Sequence, residues 1–342
     1  MTASTPNLHR PVSHTNNFDA IRIVAALAVL VSHHHALIGQ FEPLVLGIHS
    51  LGGFAVLVFF VVSGYLVTCS WNNDPHLVRF TLRRALRIWP ALIAVVVLTT
   101  YGLGVWLTTL APKEYLQDSA TSGYLSNIWL HGKAGLPGLF ENNPLRGAAN
   151  GSIWTIPYEV QCYVILACAG LLGALRIRTV WLLMVLVTTI WYQVKYGPDF
   201  HPDWKLKREM MVYFILGSAL AVLQPSWSRR PLPWLAALTV ASLCAWFFGL
   251  RYLSLMIALP YLLIYLGTQS TPILRQFGRW GDPSYGLYLI AFPIQQTVIH
   301  FFWPTIGSAS VLALSVAITT VLAYASWHGI EKRALKIKPR KP

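Results

Sequence analysis

Long apolar stretches alternate along the chain with short polar breaks, many of them basic. A bilayer core is about 30 Å thick and takes about 20 apolar residues to cross as a helix. Ten stretches fit that pattern: 20–38, 51–71, 88–110, 152–173, 179–195, 209–224, 233–250, 251–268, 283–303 and 305–327. The pattern predicts an all-α fold, a polytopic bundle of about ten transmembrane helices in one domain. The weakest break is Gly249-Leu250-Arg251, which alone separates two apolar runs. The expected organisation is a polar tail at 1–19, a membrane domain at 20–330 and a basic tail at 331–342. Residues 1–19 hold no apolar run of their own and the first apolar run lacks a small-residue cleavage site, so no cleaved signal peptide is expected. No internal repeat is visible.

Composition sharpens this picture. Of 342 residues, 55% are hydrophobic and only 11% charged, against roughly 25% in an ordinary soluble domain. Twelve acidic and 26 basic side chains cannot coat a soluble globule of this size, and disorder is excluded by the same apolar content. The net charge of +14 does not make a nucleic-acid binder, because the basic residues sit in clusters between apolar runs rather than on one face. The 14 Trp and 15 Tyr suit membrane interfaces. Cys69, Cys162, Cys168 and Cys244 lie in apolar segments with no metal-type spacing, so neither a disulfide framework nor a metal site is expected.

Basic residues also set the orientation, since Lys and Arg concentrate on the cytoplasmic side of membrane proteins. With the N-terminus inside, 18 of the 26 basic residues fall on the cytoplasmic side. Both termini are therefore expected in the cytoplasm. The loop at 195–208 dissents, with Lys195, Lys205, Lys207 and Arg208 placed outside. The longest loop, 111–151, also falls outside, and a loop of that length is more often functional than idle.

Ionisable groups inside membrane helices are costly and mark function. The first helix carries Arg22 and His33, eleven positions apart. Eleven steps of about 100° return to nearly the same direction with a rise of about 16 Å, so the two share a face at different depths. His34 and His35 point elsewhere on that helix. Arg84 and Arg87, within Arg83-Arg84-Ala85-Leu86-Arg87, also share a helical face. On charge alone they read as a cytoplasmic anchor; as paired guanidiniums they also suit phosphate oxygens. Glu159 stands about 10 Å below the outer edge, if its helix enters from outside near Ser152, close to the expected depth of His33. Depth alone does not make the two neighbours.

Five segments carry a family resemblance. Phe18-Asp19-Ala20-Ile21-Arg22 followed by His33, Phe59-Phe60-Val61-Val62-Ser63-Gly64-Tyr65-Leu66, Arg84-Ala85-Leu86-Arg87-Ile88-Trp89-Pro90, Ser152-Ile153-Trp154 through Glu159 to Tyr163, and Ser284-Tyr285-Gly286-Leu287-Tyr288-Leu289 occur in that order. Together they resemble the acyltransferase 3 family of integral membrane acyltransferases. The resemblance implies an acyl-CoA donor, acetyl-CoA by default, and a hydroxyl acceptor on a glycan such as an exopolysaccharide or a lipopolysaccharide sugar, or on a Nod factor or macrolide. It implies a multi-pass protein of the bacterial inner membrane with no bound cofactor, no metal and no nucleic-acid partner. Carried onto this chain, the family's functional groups are His33, Glu159 and Arg22 for catalysis. Arg84, Arg87, Arg22, Ser63 and Tyr285 fall to the donor. Many members have a second His where this chain has Ala291, so no role transfers there. The extracytoplasmic hydrolase-type domain of longer members is not expected. Under this reading His33 acts as general base on the acceptor hydroxyl or takes the acyl group itself. The rival class is a permease or flippase for an anionic or glycan solute, against which the missing repeat symmetry speaks.

Overall fold

All ten apolar stretches are helical in the computed structural model, which describes residues 16–196 and 204–339. They form α1 (Phe18–Leu37), α2 (Leu51–Asn73), α3 (Leu77–Val97), α4 (Ile156–Leu171), α5 (Arg178–Tyr196), α6 (Trp204–Val222), α7 (Pro231–Phe247), α8 (Arg251–Thr268), α9 (Ser284–Phe302) and α10 (Ser308–Ser326). Among the described residues the only strands are two residues each, Leu44–Val45 and His49–Ser50. Residues 1–15, 197–203 within the basic loop at 195–208, and the last three positions lie outside the described residues.

Among the described residues, five helices are long and apolar enough to cross a membrane: Phe18–Leu37, Leu51–Asn73, Leu77–Leu107, Arg251–Thr268 and Ser308–Lys336. Large apolar side chains on these and neighbouring helices are bare; Val194 is 75% and Phe247 85% exposed. A water-soluble protein does not carry so much uncovered apolar surface on regular helices, whereas a multi-pass membrane protein turns it to lipid.

Two boundaries differ from the apolar pattern. The third helix begins at Leu77, eleven residues before the apolar stretch, and continues through a π-helical turn at Leu98–Gly104. Arg79 to Arg87 are thus helical. Straight-chain and apolar residues here favour helix, and Asp74 holds Arg79 through Nη2 at 2.5 Å and Nε at 2.8 Å at the helix start. The last helix likewise runs past its apolar stretch through a π turn at Trp327–Glu331 into Lys332–Lys336. The weak break at 249–251 is real. Gly249 adopts φ +77°, a left-handed turn that lets α7 end and α8 begin within three residues.

Backbone contacts group the chain into two compact units. One takes the first residues to Ile21, Leu57–Phe80 and Cys162–Gln276; the other takes Arg22–Val56, Thr81–Gln161 and Phe277 onward. In the first, small residues let helices approach closely. Gly64 faces the Phe214 carbonyl, Gly217 faces the Val61 carbonyl, and Thr68 Oγ1 donates to Gly64 O and to Ser218 Oγ, both at 2.7 Å. That is the small-residue packing expected where lipid removes the hydrophobic drive between helices.

In the second unit, α9 is the central post. Gln295 Nε2 donates to Leu30 O of α1 at 2.8 Å. The long loop closes on α9 from the other side: Asn150 Nδ2 donates to Leu289 O, and Asn143 and Gln296 bond each other and the neighbouring backbone. An apolar cluster of Leu37, Ile38, Phe292, Val298, Ile299 and Val311 ties α1, α9 and α10 together. The loop is built rather than loose, with short helices Pro112–Gln117 and Ser119–Tyr124 and the Asn127 side chain bonded to Lys133 backbone at 2.7 and 2.8 Å.

Candidate functional site

The second unit holds two groups of polar side chains. One lies at the start of α1 and α9. Arg22 of α1 and Arg87 of α3 converge on a single carboxylate oxygen, Oδ2 of Asp282, at 3.3 and 2.5 Å. The second oxygen of Asp282 accepts from Ser284 Oγ at 2.5 Å and from Ser284 N at 3.3 Å, which fixes it at the mouth of α9. Asp282 is only 8% exposed. Burial by itself would raise its carboxyl, but the two guanidiniums and the Ser284 bonds prevail and hold it well below the usual carboxylate range.

Arg87 does more than meet Asp282. It reaches Glu331 at 3.4 Å and lies over the rings of Tyr285 at 5.7 Å and Trp327 at 5.9 Å. Tyr285 is itself held by donating to Ile88 O at 3.1 Å. Glu331, buried, accepts from Ser326 Oγ at 3.2 Å. One turn earlier on α3, Arg83 donates through Nε and Nη2 to Pro339 O at 3.2 Å each. This brings Lys338 within electrostatic reach of Arg84, Arg87, Arg83 and Arg22. Burial first, and those four guanidiniums next, push the Lys338 ammonium down to about 8. The cluster counts five cations against Asp282 and Glu331, an arrangement suited to a polyvalent anion such as a phosphate ester.

The second group lies further along α1. His33 is half-buried, its ring edge-on to Phe292 of α9 at 5.3 Å and 78°. Gly151, at the end of the long loop, lies so close to Phe292 that a Cβ there would come within 2.5 Å of the ring. His33 Nδ1 is buried with no hydrogen-bond partner, and such an atom calls for an explanation in function or bound ligand. Its two neighbours are tied down: His34 Nε2 bonds Ser308 Oγ and His35 Nδ1 bonds Val31 O, both at 2.9 Å. The unanchored imidazole of the three is a proton carrier in waiting.

The structure brings some sequence-selected residues together and keeps others apart. Arg22, Arg84, Arg87 and Tyr285 gather in the first group. His33 stands on the Arg22 face of α1 by helical phase. Glu159, in the first turn of α4, lies within electrostatic reach of the Tyr288 hydroxyl, which is hydrogen-bonded to Thr155 Oγ1 at 2.6 Å. Ser63 belongs to the other unit, where its Oγ bonds the Tyr163 hydroxyl at 3.1 Å.

Sequence reasoning passed over Asp282, Glu331, Trp327 and Lys338. A signal was present for Asp282. It is one of only 12 acidic residues and stands directly before Pro283-Ser284-Tyr285. Glu331 and Lys338 gave none, because they lie among the basic residues after α10 and meet α3 only through the fold.

Comparison with known proteins follows the same residues. The family model for an acyltransferase domain matches residues 15–328. An O-acetyl transferase of Shigella phage Sf6 is 32% identical over 338 residues, covering 94% of this chain and 96% of that protein. Nodulation protein 10 of Rhizobium leguminosarum bv. viciae is 27% identical over 370 residues, covering 97% of this chain and 96% of its own. A putative peptidoglycan O-acetyltransferase of Bacillus subtilis is 27% identical over 345 residues; the match covers 82% of this chain and 50% of that longer protein. No solved structure matches the chain significantly.

Proposed function

Because the chain belongs to the acyltransferase 3 family and is an acyltransferase, we propose that it moves a short acyl group, acetyl foremost, from acyl-CoA to a hydroxyl of a cell-envelope glycan. In this reading all ten helices cross the bacterial inner membrane, with both termini in the cytoplasm. The nucleotide phosphates of the donor dock at Arg84 and the cluster that Arg22 and Arg87 share with Asp282. The pantetheine arm runs along α1, and the rise of about 16 Å between Arg22 and His33 is close to the reach of that arm. His33 takes the proton of the acceptor hydroxyl as it attacks the thioester carbonyl; the thiolate of CoA leaves and is protonated.

The observation that carries this reading is the pairing of a cation-rich anchor with a buried, unpartnered imidazole nitrogen on one face of one helix. Glu159, beside Tyr288 and Thr155, stands to position the acceptor rather than to orient His33. The named relatives support O-acetylation: one is an O-acetyl transferase and another a putative peptidoglycan O-acetyltransferase.

The test is transfer of labelled acetyl from acetyl-CoA by the purified full-length protein in nanodiscs, with envelope glycans as acceptors. Thiol release coupled to O-acetylation supports the proposal. Absence of thiol release together with solute counterflow in liposomes would replace it with the permease reading.

A further inference from the structure

We propose that Lys338, carried by the stretch after the last helix, is a donor-binding residue that completes the phosphate site of α3. This rests on the arginine cluster being the donor-phosphate site, as proposed above.

Three observations lead there. First, the stretch is fastened. Both Nε and Nη2 of Arg83 donate to the Pro339 carbonyl at 3.2 Å, so the residue before it is held against the arginine-bearing end of α3. Second, the company is unfavourable. Among the described residues, the charged groups that act on Lys338 are the arginines Arg84, Arg87, Arg83 and Arg22. The two acids of the cluster are already engaged, Asp282 with Arg22 and Arg87, and Glu331 with Arg87. A partly buried ammonium set among four guanidiniums gains from an added anion. Third, the chemistry is complementary. Guanidiniums in pairs fit phosphate oxygens through forked donors, and an ammonium adds a compact point charge with three donors. A nucleotide with several phosphates is the class of ligand that uses both.

The free-state ammonium titrates at about 8, lowered by burial and by the four arginines. A phosphate beside it raises that value. Below pH 8 Lys338 is charged with or without donor. Above pH 8 it is neutral in the free protein and charged in the complex, so donor binding takes up a proton and weakens as pH rises. Among the described residues, the charged groups facing it are the four arginines, two of which, Arg22 and Arg87, pair with Asp282 and Glu331.

The experiment uses the full-length protein in nanodiscs and two donors: acetyl-CoA, and acetyl-pantetheine, which has the same thioester but no nucleotide phosphates. The variants are Lys338→Ala and Lys338→Arg. Expected results are a rise of about tenfold in KM for acetyl-CoA in Lys338→Ala with kcat little changed, recovery in Lys338→Arg, and no change with acetyl-pantetheine. Between pH 7.5 and 9.5 the fall in acetyl-CoA affinity should flatten in Lys338→Ala. An unchanged KM for acetyl-CoA, or equal losses with both donors, overturns the proposal. If the wild-type protein itself does not favour acetyl-CoA over acetyl-pantetheine, the arginine cluster is not a phosphate site, and the parent reading falls with this one.

Discussion

A carboxylate that serves two arginines from different helices is a residue on which much converges. Asp282 binds Arg22 and Arg87 through one oxygen and Ser284 through the other. Asp282→Asn keeps the shape but removes the carboxylate that Arg22 and Arg87 share, and removing one partner of a buried pair costs about 3–5 kcal/mol. The variant should unfold at lower temperature in detergent and bind acetyl-CoA more weakly, as thermal melts with and without donor would show; a melt equal to wild type would deny the clamp. Since the pairing holds this carboxyl low, its stabilisation is fully present above about pH 4, the ordinary aspartate value, and is lost only as pH falls below that through the folded value. His33 is a test of chemistry rather than of stability. Loss of a general base typically costs 10²–10⁴-fold, so His33→Ala should reduce kcat by roughly that factor with an unchanged melt. His34→Ala, which loses the Ser308 bond, should lower the melt and spare most of the rate.

At the scale of elements, α4 places Glu159 in its first turn, and α9 supplies the neighbour it meets there, Tyr288. The proposed acceptor-positioning role rests on this Tyr288 neighbour. Glu159→Gln should therefore raise the acceptor KM and leave the low-pH limb of kcat/KM where it was. Initial rates across pH with varied acceptor will check this; a downward move of that limb would show instead that the carboxylate supports an imidazolium. The junction of α7 and α8 offers a purely conformational test. Gly249 sits at φ +77° with open space around it, so Ala meets no neighbour and only the left-handed backbone is penalised, by roughly 1–2 kcal/mol. Gly249→Ala should lower the melting temperature slightly and leave donor KM unaltered.

For the whole molecule, the charge bias sets the expected topology. A reporter that fluoresces only in the cytoplasm should be active when fused after residue 342, and a phosphatase active only outside should work when inserted in the 111–151 loop. The reverse pattern would invert the protein and place the arginine cluster on the wrong side for a cytoplasmic donor. Under the proposed topology the same bias puts the cluster on the cytoplasmic side. Arg84 and Arg87 read from sequence as either anchor or phosphate site, and the position of an anchor is also where a cytoplasmic nucleotide arrives.

Apolar runs of about 20 residues determined the helices by themselves, because in lipid each backbone group must find its partner within its own segment. That requirement is local, and it was legible down to the Gly249 break. Helical phase is local too, so the shared face of Arg22 and His33 and that of Arg84 and Arg87 could be read from spacing. What could not be read was which charge meets which. Arg22, Arg87 and Asp282 lie 65 and 195 positions apart, and their meeting depends on how α1, α3 and α9 pack. The same holds for Glu159, whose electrostatic neighbour Tyr288 lies 129 positions away on α9. Depth follows from counting residues along one helix; neighbourhood follows from side-chain volumes and close approaches, such as that of Gly151 to Phe292, that only the assembled tertiary structure sets.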